Sequence, residues 1–300
     1  MLEEQDGTHR QPPASDAPGS GAKETPRSRL SSQFVIFPLA IVVVGVAIYL
    51  LLGLLTTEDR TARDYLNTIR TGGINSRWQA AYELVKVLAE EKRQGQITPG
   101  FVPELIRVFE ASQHDDPRIR RYLVRAMQMV PDPALVPVLI GTLDDSDAET
   151  RFFAVVSLGA QGDSRAVAPL IETGKSDDAG IRTVVLQALG RLKDERIRPV
   201  LIGALKDDVP QVRWNAALQL AQAGGTSGLS VLKEMLDREY VWSLEGWAED
   251  SRVNAVVQAI RAVGMLRATD LKPTLERLRD NDPNLKIQQA AIEVLKAWQP

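Results

Sequence analysis

The sequence predicts an all-α protein: an α-solenoid of stacked antiparallel helix pairs, preceded by one transmembrane helix. Two observations carry this fold class. Four arginines recur at a fixed interval of 31 residues, and near the N terminus a run of 22 residues carries no charge. With 44% hydrophobic and 25% charged residues in 300, the chain can bury a sizeable core.

The elements follow in chain order. Residues 1–33 hold Pro12, Pro13, Pro18 and Pro26 with scattered Gly, Ser and charge, and no apolar periodicity, so they read as a disordered tail. Residues 34–55, FVIFPLAIVVVGVAIYLLLGLL, are uncharged. A helix of that length at about 1.5 Å per residue crosses a hydrocarbon core of about 30 Å. Pro38 near its start removes a donor that has no helical partner anyway. The run exceeds a signal-peptide core, and LLGLLTTED lacks a small-x-small cleavage site, so an uncleaved single-pass anchor in the lipid bilayer is expected. Flanking Lys and Arg tie at three on each side. A short tail without a leader commonly stays inside, which favours a solenoid outside the cytoplasm. Residues 56–74 read as a juxtamembrane helix and linker stopped by Gly72 and Gly73.

Residues 75–300 form the solenoid. Arg120, Arg151, Arg182 and Arg213 stand 31 apart; Leu139, Leu170, Leu201 and Leu232 follow each by 19, and Asp132, Asp163 and Asp194 follow the first three by 12. Several independent columns in one register, with no insertion over residues 115–236, identify a repeat. Each unit reads as two helices. In the third, Ile181, Val184, Val185, Ala188, Leu189 and Leu192 recur at helical spacing, RLKDER interrupts, and Val200, Leu201 and Leu205 begin a second stripe. The aspartate before the second helix suits its N-cap, and the acidic stretches between units are turn and cap residues. Neither stripe is long enough to be buried alone, so neighbouring pairs must stack. An earlier unit begins near Arg77-Trp78, two irregular ones follow the fourth, and Trp298 is placed to cap the end.

The segments DDPRIRRYLVRAMQMVPDPALVPVLIGTL and DDSDAETRFFAVVSLGAQGDSRAVAPLIETG resemble HEAT repeats, in particular the short HEAT-like repeats named after bilin-lyase subunits. Pro137, Pro169 and Pro199 fall where that pattern begins its second helix. The resemblance covers most of residues 76–300. It implies a superhelix in which the recurring arginines bond to turn carboxylates of neighbouring units, forming a structural ladder with Asp132, Asp163 and Asp194.

Catalytic chemistry is sparse in the sequence. There is no cysteine, and His9 and His114 are the only imidazoles. Nucleotide-binding glycine loops, nucleophile elbows and metalloprotease helices are absent, as are the His-Glu pairs with which HEAT-type hydroxylases bind iron. The paired aspartates recur at the period, which capping explains without a metal. A net charge of −3 offers no surplus for a phosphate backbone, so no nucleic-acid partner is expected, nor any cofactor or metal. One insertion departs from the repeat, DREYVWSLEGWAED at 237–250, and its Tyr240, Trp242 and Trp247 are candidate protein-binding residues. The expectation is a membrane-anchored scaffold or adaptor for a membrane-associated protein partner, not an enzyme. Its alternatives are an enzyme or enzyme subunit of the bilin-lyase type, or a binder of cell-envelope polysaccharide through the tryptophans.

Overall fold

The computed structural model describes residues 27–56, 60–95 and 99–298, and within the first stretch the side chains of 36–51. The expected tail therefore lies outside the described residues as far as residue 26. Among the described residues there is helix and no strand. Two units divide the chain, residues 1–59 and 60–300.

The first unit contains helix α1 (Arg27–Thr56), with Pro38 inside it and its described apolar side chains exposed. The transmembrane helix expected at 34–55, with the membrane localisation and lipid contact that followed from it, is corrected here: among the described residues no helix is long and apolar enough to cross a membrane.

The second unit is a two-row stack. One row holds α3 (Ile74–Gln94), α5 (Pro117–Met129), α7 (Ala148–Gln161), α9 (Ala179–Arg191), α11 (Pro210–Gln222), α14 (Glu249–Leu266) and α16 (Leu285–Ala297), each packed on the next. The other holds α2 (Ala62–Thr71), α4 (Phe101–Ala111), α6 (Leu135–Gly141), α8 (Val167–Thr173), α10 (Ile197–Ala204), α12 (Leu229–Met235) and α15 (Lys272–Asn281). A short extra helix, α13 (Arg238–Ser243), stands between α12 and α14. The pairs thus run second row to first row along the chain, starting with α2. That helix falls in the stretch read as a juxtamembrane helix and linker outside the solenoid, and its Ala62, Leu66 and Ile69 are fully buried against its neighbours. A capping box between Thr61 and Asp64 starts it, and the Ala62 N–H donates to Glu91 Oε1 of α3 at 3.0 Å.

Local chemistry sets the helix boundaries. Asp116, Asp147 and Asp178 are N-caps of α5, α7 and α9, and Pro117 and Pro210 occupy first helical turns, where a missing N–H costs nothing. Gly162 ends α7 with φ of 71°, the left-handed region open to glycine. Close approach of the first-row helices needs a second glycine: a Cβ on Gly159 of α7 would lie 2.8 Å from Cα of Ala188 on α9. Helix α11 serves two cores at once. Val212, Ala216 and Leu220 join the N-terminal cluster, while Trp214, Ala217 and Ala221 join the C-terminal one.

Candidate functional site

The recurring arginines lie at the junctions between first-row helices. Arg182 donates through Nε and Nη2 to the two oxygens of Asp207, at 2.8 and 2.9 Å, and through Nη1 to the carbonyls of Ser176 and Asp177 in its own turn. Arg120 donates through Nε and Nη2 to Oδ2 of Asp145, and Arg77 through Nη1 and Nη2 to the two oxygens of Asp115. Arg151 bonds to the carbonyls of Asp145 and Ser146, but the position ahead of it, 31 residues past Asp145, is Ser176. Arg213 reaches the carbonyls of Asp207 and Asp208, then Glu234 Oε1 at 2.7 Å and the Tyr240 hydroxyl at 3.1 Å. Asp132, Asp163 and Asp194 each accept from the N–H two residues on, at 2.8 to 2.9 Å, closing the turn ahead of the second-row helix. The guanidiniums of Arg165 and Arg196 hold the carboxyls of Asp163 and Asp194 down to about 2. Arg121 draws Asp147 well below the usual carboxylate range.

The acidic turns are thus engaged, either with arginine or with a helix start. His114 is exposed in the turn before α5. Among the described residues no cluster of three or more His, Asp or Glu could hold a metal.

The insertion folds onto the stack. Asp237 caps α13 by accepting from the Tyr240 N–H at 3.2 Å. Tyr240, Trp242 and Trp247 are half-buried against the C-terminal core. The Arg238 guanidinium lies over the Trp242 ring at 3.6 Å while also donating to the buried Asp282, at 3.0 and 3.1 Å. Trp242 Nε1 donates to Glu249 at 3.0 Å. Trp247 meets Trp214 edge to face, centroids 5.3 Å apart, and Trp214 Nε1 donates to Glu234 at 2.8 Å. The three candidate residues are therefore not gathered into one exposed patch: each ring is fastened to a different part of the scaffold.

Two clefts flank α12. The larger, about 780 Å³, opens among α12, α13 and α15, with Lys233, Arg238, Tyr240, Thr274, Arg277 and Asn281 on its walls. Its acids are mostly engaged: Glu234 by Arg213 and Trp214, Asp282 by Arg238, Asp237 by the start of α13. Lys233 makes no ion pair among the described residues, and Arg277 donates only to Thr274 Oγ1, at 3.4 Å. The smaller groove, about 290 Å³, crosses α9, α11 and α14 beside Trp247. Neither set of polar residues stood out in the sequence, because Lys233 closes the fourth regular unit while Arg277 sits in an irregular one after it. One signal was present: position 215 holds Asn where the three preceding units have Tyr122, Phe153 and Val184.

The family model described as HEAT repeats matches residues 103–190 and 172–252, together half of the chain. The chain belongs to the HEAT-repeat family. A relative, the bilin biosynthesis protein PecE of Nostoc sp. (strain PCC 7120 / SAG 25.82 / UTEX 2576), is 30% identical over an alignment of 183 residues that covers 58% of this chain and 72% of that protein. Among solved structures, the complex of CpcE and CpcF of phycocyanin lyase from Nostoc sp. PCC7120 is 18% identical with a TM-score of 0.49, covering 82% of this chain and 90% of that one. The E. coli protein YIBA is 17% identical with a TM-score of 0.48, over 78% and 92%. These two are likenesses of fold alone. The PecE match corrects the expectation that the chain is not an enzyme: a relative at this identity, over most of its length, works in bilin biosynthesis.

Proposed function

We propose that this HEAT solenoid is a subunit of a lyase-type enzyme that handles a bilin or a related open-chain tetrapyrrole together with a protein partner. The observation that carries the proposal is the 30% identity with PecE over 72% of that protein. The cleft among α12, α13 and α15 is the site within this chain best suited to such a ligand. A tetrapyrrole of this kind is an extended conjugated system bearing two carboxylates, and the cleft offers an aromatic wall at Tyr240 with Lys233 and Arg277 as uncommitted cations. A volume of about 780 Å³ falls within the range of small-molecule clefts.

The chain's own residues would bind and orient rather than react. Without cysteine, and with His114 as the one imidazole past residue 9, groups for acid-base or nucleophilic steps are scarce, so the partner supplies them. HEAT rows present long surfaces for such a partner, and Tyr240 stands in the wall of the cleft. The arginine ladder is assigned to holding the repeats in register.

The test uses the full chain titrated with biliverdin and followed by the red-region absorption band. Sharpening or shift of the band on binding is expected, with Lys233→Ala and Arg277→Ala each weakening it about ten-fold, the loss of one charge-assisted hydrogen bond. Binding that is absent, or equal in wild type and both variants, would defeat the assignment of this cleft.

A further inference from the structure

On the opposite side of α12 the smaller groove has a different chemistry. Its polar residues are Gln187 of α9, Gln211 and Asn215 of α11, and Ser251, Asn254 and Gln258 of α14, with Leu218, Met235 and Trp247 beneath. No charged side chain lines it. Ser251, Asn254 and Gln258, at i, i+3 and i+7, form one exposed stripe of α14. Gln187 Nε2 donates to Asn215 Oδ1 at 2.8 Å, and Asn215 Nδ2 donates to the Gln211 carbonyl at 2.9 Å, so Asn215 is fixed in place between α9 and α11. The side chains of Gln211, Ser251, Asn254 and Gln258 make no hydrogen bond among the described residues. Three amides and a hydroxyl, each both donor and acceptor, thus face one groove unused.

We infer that this groove binds an extended, uncharged segment of a protein chain, with Gln211, Asn254 and Gln258 pairing with its main-chain amides and one apolar side chain lodged against Leu218, Met235 and Trp247. An amide side chain matches a peptide group because each carries one N–H donor and one C=O acceptor in a plane. The lack of charge disfavours a carboxylate-bearing ligand, whose desolvation nothing here would offset. The length also fits. Crossing from α9 to α14 passes two helix spacings of about 8 to 10 Å, which five or six extended residues at about 3.3 Å each would span. A polysaccharide is the poorer match, since Trp247 is half-buried and packed against Trp214, leaving less open ring face for stacking. This inference is independent of the tetrapyrrole cleft.

The test pans a phage-displayed library of random heptapeptides against the immobilised full chain. Enriched peptides are expected to lack charged residues and to carry one large apolar side chain. A synthetic copy should alter tryptophan fluorescence, and N-methylation of its central amides should weaken it at least about ten-fold, as should the combined Gln211→Ala, Asn254→Ala and Gln258→Ala variant, whose far-UV circular dichroism must match wild type. Enrichment of charged peptides, no enrichment, or affinity unchanged by N-methylation would overturn the inference. So would a fluorescence response to chitohexaose that no peptide reproduces.

Discussion

Arg182 and Asp207 show at the scale of single residues why the 31-residue register is so legible. Four hydrogen bonds from one planar group are divided between a carboxylate in the next turn and two carbonyls in the Arg182 turn, and no other side chain can do both. That geometry fixes the residue type at a fixed spacing, which the sequence then displays. Both side chains are less than one fifth exposed, so Arg182→Met is expected to cost about 2 to 3 kcal/mol in urea unfolding, most of it from the carboxylate left without its partner. The pair also sets an acid limit. Arg182 holds Asp207 below its unfolded value, against the opposing effect of burial. A depressed carboxyl contributes stability above the unfolded pKa of about 3.9 and loses it as pH falls through the folded value. The urea midpoint should therefore stay level from pH 7 to pH 5 and fall below about pH 4. In Arg182→Met the part of that fall due to Asp207 should vanish; an unchanged acid slope would show that the pair does not govern it.

At the scale of elements, the second-row helices are short and the first-row helices carry the packing. Gly159 is a sensitive point, since its added Cβ would meet backbone of α9 and not the movable end of a side chain. Gly159→Ala should lose about 2 kcal/mol by forcing α7 from α9, although alanine is the better helix former. A thermal midpoint equal to or above wild type would contradict the close approach. Helix α2 was less legible than the units after it. Its fastening is a hydrogen bond from Ala62 to Glu91, 29 residues away, and its ten residues share no column with the arginine register. The insertion was legible as a departure from the repeat but not in its placement: the partners of its rings, Arg238 with Asp282 and Trp214 with Glu234, are set by tertiary packing rather than spacing. The amide groove was hidden for a related reason, because its residues come from three helices and only Asn215 breaks a column.

For the whole molecule, the rows form one unit with two apolar clusters meeting at α11, and the two clefts lie on either side of α12 within the C-terminal cluster. The repeat arithmetic gave the stack and its direction, while the polar residues of the clefts are spread over the third and fourth units and the irregular units that follow them.

One junction in the regular part is unlike the others. Between α7 and α9 the forward carboxylate is replaced by Ser176, while Gly159 and Ala188 bring the same two helices into backbone contact. In mechanical terms, this is a pivot whose latch has been left off. Compliance in the superhelix should concentrate there, letting the N-terminal span swing against the cleft-bearing span when a partner closes on both. Spin labels at Arg107 and Lys272 should report a broad distance distribution that Ser176→Asp, by restoring the latch to Arg151, narrows; equal widths would place the flexure elsewhere.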